Sequence, residues 1–502
     1  MNSDKRLWRW DKGWVWLCFF IGILPFCGQM PVMAGTGHNE AKAQFGDDGQ
    51  WSILIQDMQK GRPALSVQAN HRQLPASTAK LLTTAYILHE LGPESHQQTR
   101  ILARTVDDGV VQGPLILLGG GDPNLSSRRF PFVTQTVRDD PMYPTRMLAA
   151  QVWAAGVRQI PEGILANAAY FPADSALPGW TEEDQRHWYG APISALMFND
   201  AMVAVQIKPG RVAGASTNAE IIPNPQGIIR NTVITVSSGG EVRPVHLEKS
   251  GSRYVLTGAI PTNRGIFTAM LAQPDPAYFA AAALRQALEE QGIVVSGPIQ
   301  VLDTENGTTS LPRGYTHYAL LAKHDSPPLA EEITVANKVS ENTHVEVLLR
   351  DADLVRGGAG SRASAMQGLH RWLSANGILD SQARLVDGCG LSREDRLSAT
   401  DLVHMLLRSY QEPWGGIWRD SLPVGAVDGT LRHRLSGLPV GAVQAKTGTL
   451  RDALSLAGFI RDNRGQQYVF AILVDHFTGS EERIRGRMDD LVRRVALGDH
   501  TM

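Results

Sequence analysis

The 502-residue chain carries 48 lysines and arginines against 50 aspartates and glutamates, a formal net charge of −2. That length implies roughly two to four domains with ample material for large cores. The balanced and well-mixed charge gives no electrostatic reason to expect a nucleic-acid partner.

Lys5, Arg6, Arg9 and Lys12 precede the apolar run WVWLCFFIGILPF, and Val32 and Ala34 then offer small residues. This is the layout of a secretory signal peptide over residues 1–34, cut after Ala34. The run is short for a membrane span of about 20 residues; an uncleaved anchor and a loose membrane association are left open. Cleavage would remove Cys18 and Cys27, so the mature chain would hold only Cys389 and no internal disulfide. The expected location is the periplasm.

From Trp51, WSILIQDMQKGRPALSVQAN reads as two short strands around a Lys-Gly turn. A long apolar helix follows in LPASTAKLLTTAYILHEL, where Ser77 and Lys80 stand three apart at its start. A hydroxyl just ahead of such a helix is commonly its N-cap. Spacing of three also puts both residues on one face, within contact distance.

Residues from about 100 to 300 change character, with alternating strand-like pieces punctuated by Gly, Asp and Pro, as in TVITVSSGGEVRPVHLEKSGSRYVLTG. After about Ala319 the chain turns helical again, then offers strands at AVQAKTGT, LSLAGFIRD and QYVFAILVD. The last helix, SEERIRGRMDDLVRRVAL, repeats Ile484, Met488, Leu491, Val492 and Val495 at helical spacing, its charges on a solvated face. The order suggests one α/β domain split by a mainly β insertion.

Catalysis by serine needs a base in reach, a proton relay and positive charge with backbone donors for the oxyanion. A lysine serves as base only if its neutral form is populated, and burial beside a second cation moves it that way. Lys446 in KTGTL is the candidate second cation, on a strand where Gly448 permits close approach of a ligand to the backbone. Ser340 and Asn342 in SEN, between two helical segments, could supply a hydroxyl and an amide. A rival set exists in Ser216, Asn218 and Lys249; its polar, turn-like surroundings favour Ser340 and Lys446 instead. There is no His-Glu-x-x-His and no histidine ligand spacing, so no metal or other cofactor is expected. GGG at Gly119–Gly121 lacks the lysine of a phosphate loop, and no Gly-x-Ser-x-Gly elbow occurs.

The segments PASTAKLLTT, HDSPPLAEEITVANKVSEN, DGCGLSREDRLSATDL and QAKTGTL together resemble the penicillin-binding D-alanyl-D-alanine carboxypeptidase/endopeptidase family of low molecular mass, class C. The 263 positions from Ser77 to Ser340 match that family's large insertion, and LLGGGDPNL and LPGWTEEDQRHWYGAPISALMFND resemble pieces of it.

The resemblance implies an α/β (α+β) fold. A β-lactamase/transpeptidase-like domain (35–97 and 320–502) would be interrupted by inserted domain II (98–198 and 299–319) and domain III (199–298). It implies a serine-type D-Ala-D-Ala carboxypeptidase, and a D,D-endopeptidase, acting on peptidoglycan stem peptides and acylated by β-lactams. In those roles Ser77 is the nucleophile, Lys80 its base and Ser340 the proton donor to the leaving amine. Asn342 holds the substrate backbone; Lys446, Thr447 and the Gly448 strand bind the terminal carboxylate. The N–H groups of Ser77 and Thr449 form the oxyanion hole. Asp184 aligns with an acidic position that meets the side-chain amino group of the stem in some relatives. The chain departs from the family pattern at Glu341 and at Cys389, which stands where a serine is usual; Cys389 reads as a small, partly buried residue rather than a reactive thiol. Arg451 follows the Lys-Thr-Gly strand and reads as an exposed loop residue. The competing functions are a β-lactamase and a penicillin-binding sensor without productive turnover; the oligomeric state is left open.

Overall fold

The computed structural model describes residues 48–126, 140–172, 177–250, 253–303, 315 and 317–499. The expected signal peptide lies outside these residues. Near the start, strands β1 (Gln50–Asp57) and β2 (Pro63–Val67) form the expected hairpin. Helix α1 (Lys80–Leu91) follows a 3-10 turn over Ala76–Ala79. Beyond the insertion come helices α2 (Leu329–Lys338), α3 (Asn342–Val355), α4 (Arg362–Ala375) and α5 (Ala399–Tyr410). Strands β3 (Val443–Leu450), β4 (Ala453–Arg461) and β5 (Gln467–Asp475) and helix α6 (Glu481–Ala496) close the domain.

The five strands make one antiparallel sheet in the order β3-β4-β5-β1-β2. The first strand therefore joins the last three across the whole insertion. Alternation along the strands sends side chains to opposite faces. Phe470, Ile472 and Val474 of β5 pack with Ile484, Met488 and Val492 of α6, while Val469, Ala471 and Leu473 meet Leu81, Leu82 and Leu402 of the helical layer. The sheet is thus sandwiched, with α1 central among the helices on one side.

The insertion forms two further cores. In the first, strands 299–302, 164–167, 115–118, 98–103 and 319–325 make a five-stranded sheet, covered by helices Tyr143–Ala154 and Pro276–Glu290. In the second, a three-stranded and a four-stranded sheet enclose Val203, Val205, Tyr254 and Leu256. Two elements near the expected borders pack with more than one unit. Helix Pro276–Glu290, expected in domain III, buries Ala280, Leu284 and Leu288 in the first inserted core and Phe279 in the second. The strand Ala319–Asp325, expected mostly within the catalytic domain, pairs antiparallel with Gln98–Ala103, so the return passes through the inserted sheet as far as Asp325. In both cases an amphipathic pattern shows that one face is covered but not which core covers it.

Candidate active site

Ser77 sits in the 3-10 turn, and no side-chain hydrogen bond caps either that turn or α1. Its hydroxyl is thus left for other partners. Ala76, immediately before it, has φ 47°, and Ser340 has φ 63°. Both are in the left-handed region, where a side chain costs energy and is held only by its surroundings. Gly390 and Gly448 pack against this bend. A Cβ at Gly390 would meet the Ala76 carbonyl at 1.9 Å, and one at Gly448 would meet Ser455 Oγ at 2.1 Å and the Pro75 carbonyl at 2.8 Å. The glycine in Lys-Thr-Gly therefore admits the turn that carries Ser77.

Lys80 Nζ lies 3.0 Å from Ser77 Oγ and donates to Asn342 Oδ1 at 2.6 Å and to the Cys389 carbonyl at 2.7 Å. Lys446 Nζ lies 3.0 Å from Ser340 Oγ and donates to its neighbour's carbonyl, that of Thr447, at 2.8 Å. Both lysine side chains are fully buried. Burial pushes the Lys80 ammonium below the usual lysine range, against the nearby charges of Asp387, Glu341 and Glu346. Burial, and then the charge of Lys80, pushes Lys446 further down.

A cleft of about 1090 Å³ opens over these groups, lined by Ser77, Ser340, Asn342, Thr447, Thr449 and Thr430. Lys80 and Lys446 do not line it themselves; each is in contact with one of its serines, Ser77 and Ser340. The rival residues are elsewhere: Lys249 is on strand Arg243–Ser250 and pairs with Asp275 at 3.2 Å, and Ser216 bridges to Ile234 in the same inserted unit.

The inserted segment after Leu177 reaches the cleft. Asn342 Nδ2 donates to the Tyr189 carbonyl at 2.7 Å, and the Trp180 indole N–H donates to Asp387 at 2.7 Å. Asp184 lines the cleft, but one carboxylate oxygen accepts from the N–H and hydroxyl of Thr181 in a capping box, so it also holds its own short helix. Arg451 lines the outer cleft with Arg393, whose guanidinium pairs with Asp452 at 3.2 Å.

Behind Lys80, Cys389 is fully buried, and its thiol is pushed well above the ordinary range by burial and by the charges of Asp387 and Glu346. A thiol held protonated is a poor nucleophile. Glu346, Asp387 and Cys389 stand close enough together to suggest metal donors. Their carboxylates are already engaged, Glu346 by the N–H groups of Gly388 and Cys389, and Asp387 by those of Gly390 and Ser392 and by Trp180. This donor set is a scaffold for the loop whose Cys389 carbonyl holds Lys80. Thr430 and the Trp180–Asp387 contact carry no motif in the sequence and become visible only in the fold.

The turn that carries Ser77 at the start of the central helix, set against the edge strand of a five-stranded sheet, defines the class: an α/β penicillin-binding carboxypeptidase fold. The model of the D-Ala-D-Ala carboxypeptidase 3 (S13) family matches residues 40–495, and the chain belongs to that family. It is 28% identical over 443 residues to a D-alanyl-D-alanine carboxypeptidase of Actinomadura sp. (strain R39), covering 85% of this chain and 78% of the relative. It is 21% identical to the D-alanyl-D-alanine carboxypeptidase DacB of Haemophilus influenzae, covering 94% and 95%. The crystal structure of penicillin binding protein 4 from H. influenzae superposes with a TM-score of 0.78 at 20% identity, over 93% of this chain and all of that one, which shows the shared fold.

Proposed function

We propose that this family member is a serine-type D-Ala-D-Ala carboxypeptidase and D,D-endopeptidase that cleaves peptidoglycan stem peptides through an acyl-enzyme on Ser77. The observation that carries this reading is the set of contacts around Lys80. A neutral lysine has two N–H donors and one lone pair. Asn342 Oδ1 and the Cys389 carbonyl take the two donors, so the lone pair is left for the proton of Ser77 Oγ at 3.0 Å.

In the proposed course, Ser77 Oγ attacks the carbonyl carbon of the penultimate D-Ala and its proton passes to Lys80 Nζ. The N–H groups of Ser77 and Thr449 stabilise the oxyanion. Collapse breaks the C–N bond, the leaving amine takes a proton from Ser340 Oγ, beside Lys446, and the proton taken up by Lys80 replaces it on Ser340, which leaves Lys80 neutral again. Lys446 and Thr447, on the Gly448 strand, hold the terminal carboxylate, and Asn342 the peptide backbone. Water then hydrolyses the ester. Asp184 is kept as a secondary contact for a stem side chain. A β-lactam acylates the same serine, and its slow release makes it an inhibitor. Among the described residues no helix is long and apolar enough to cross a membrane; with the signal-like segment over 1–34, the proposed site of action is the periplasm.

The test is digestion of pentapeptide stems and of D-Ala cross-linked muropeptides by the wild type and by Ser77→Ala. Release of D-alanine and uncrosslinked stems by the wild type alone supports the proposal. Absence of both, with penicillin binding intact, favours a sensor; fast penicillin turnover favours a β-lactamase.

A further inference from the structure

The loop between residues 422 and 431, which none of the motifs announces, brings Thr430 to the cleft. It is bonded to β3 at both backbone polarities: Gly425 N–H donates to the Val443 carbonyl at 3.0 Å, and Ala445 N–H to the Pro423 carbonyl at 2.9 Å. It is equally tied to α2. Lys338 Nζ donates to the Leu422 carbonyl at 3.0 Å and pairs with Asp428 at 2.5 Å, and the other Asp428 oxygen accepts from Val424 N–H at 2.9 Å. Lys338 stands two residues before Ser340, so one ion pair links this loop to the loop of the proton donor. Gly429 has φ 54°, and a Cβ there would meet the Lys338 carbonyl at 2.7 Å. Leu431, on the other side of Thr430, is fully buried in the core beneath the sheet.

A residue pinned on both sides in this way has little freedom, and what the loop presents is Thr430. Its Oγ1 lies 2.7 Å from Thr447 Oγ1, and both residues line the cleft. Two hydroxyls bonded to one another use one proton and keep one. If Thr430 donates to Thr447, the proton of Thr447 is left to point into the cleft, as a carboxylate ligand requires; if Thr447 turned its proton to Thr430, that donor would be lost.

We propose that Thr430 is a positioning residue of the carboxylate subsite: its hydroxyl donates to Thr447 and so aims the Thr447 proton at the terminal carboxylate of the substrate. This rests on the reading of Thr447 as a carboxylate contact. Its effect is confined to substrates that carry the carboxylate, which separates it from a role in holding the fold.

The experiment compares the wild type, Thr430→Val and Thr430→Ser, as full chains, on a diacylated Lys-D-Ala-D-Ala peptide and on the same peptide with a C-terminal carboxamide. A hydrogen bond to a charged group is at stake, so Thr430→Val is expected to raise KM for the acid by about tenfold or more. Its kcat stays near the wild type, its constants for the amide are unchanged, and Thr430→Ser recovers the acid. Equal loss on both peptides, or no loss on either, overturns the inference. A wild type that fails to distinguish the acid from the amide overturns the carboxylate subsite itself and the inference with it.

Discussion

The Trp180 indole N–H donates to the buried carboxylate of Asp387 across 2.7 Å, joining the inserted region to the loop that supports Lys80. The same carboxylate accepts from the N–H groups of Gly390 and Ser392. One end of this chain of contacts is in the insertion and the other, through the Cys389 carbonyl, is on Lys80, the proposed base. The insertion is therefore part of the active-site framework.

Lys80 should act as base only when neutral. Its ammonium is lowered by burial, so acylation by penicillin should rise with pH through an ionisation below that of an ordinary lysine and level off above it. Lys80→Arg, which keeps the charge but cannot lose it, should slow acylation by about 10²- to 10⁴-fold at every pH. Stopped-flow or gel-based labelling with a fluorescent penicillin measures both.

Lys446→Ala should lower the acylation rate by at least about a hundredfold, because it removes the amine in contact with Ser340 and the proposed ligand of the substrate carboxylate. Lys249→Ala should leave the rate unchanged, since that side chain is exposed on an inserted strand and paired with Asp275. Equal losses in the two variants would overturn the assignment.

Cys389→Ser should retain acylation within about twofold, because the functional atom is the backbone carbonyl and the swap nearly conserves volume. Ellman's reagent should find no reactive thiol in the folded wild type if Cys389 is the one cysteine of the mature chain, and one thiol after denaturation.

Gly448→Ala should both destabilise the protein and abolish labelling. The new methyl would lie 2.1 Å from Ser455 Oγ and 2.9 Å from the Ala76 Cβ, so β3 must move away from the nucleophile turn. Overpacking of this kind costs about 1–3 kcal/mol, read from urea unfolding.

His344, two residues beyond Asn342 in α3, is fully buried between Asp200 of the insertion and Glu332 of α2, with both ring nitrogens 3.1 Å from a carboxylate. Burial alone would lower its pKa; the carboxylate of Asp200, which is hydrogen-bonded to it, and then that of Glu332, its ion-pair partner, outweigh this and raise it to about 10. With the folded value above the ordinary 6.5, its stabilisation is fully present below about pH 6.5 and is lost as pH rises through about 10. Urea unfolding at pH 7 and pH 10.5 should show that loss. His344→Leu should lose about 3 kcal/mol or more at pH 7, because it removes the cation that the two buried carboxylates face.

Much of the candidate site could be read from the sequence because its residues lie close together along the chain. Ser77 and Lys80 are three residues apart where α1 begins, Ser340 and Asn342 are two apart where α3 begins, and Lys446 and Gly448 share a strand. What could not be read are contacts between distant segments. Trp180 meets Asp387 across 207 positions, and Thr430 reaches Thr447 only because its loop is bonded to β3 and α2. The helix Pro276–Glu290 shows an apolar face, but nothing local says that the first inserted sheet covers it. Asp184 was legible as an acid near the site and not as half of a capping box, because the box depends on the Thr181 backbone turning into a helix.

The most direct measurement is peptide-level mass spectrometry after brief mixing of the purified protein with benzylpenicillin. A persistent penicilloyl adduct on the peptide that contains Ser77, absent from Ser77→Ala and delayed in Lys80→Arg, is the expected result. An adduct on any other residue, or hydrolysed penicillin accumulating while the protein stays unmodified, would contradict an acyl-enzyme at Ser77 that releases β-lactams slowly.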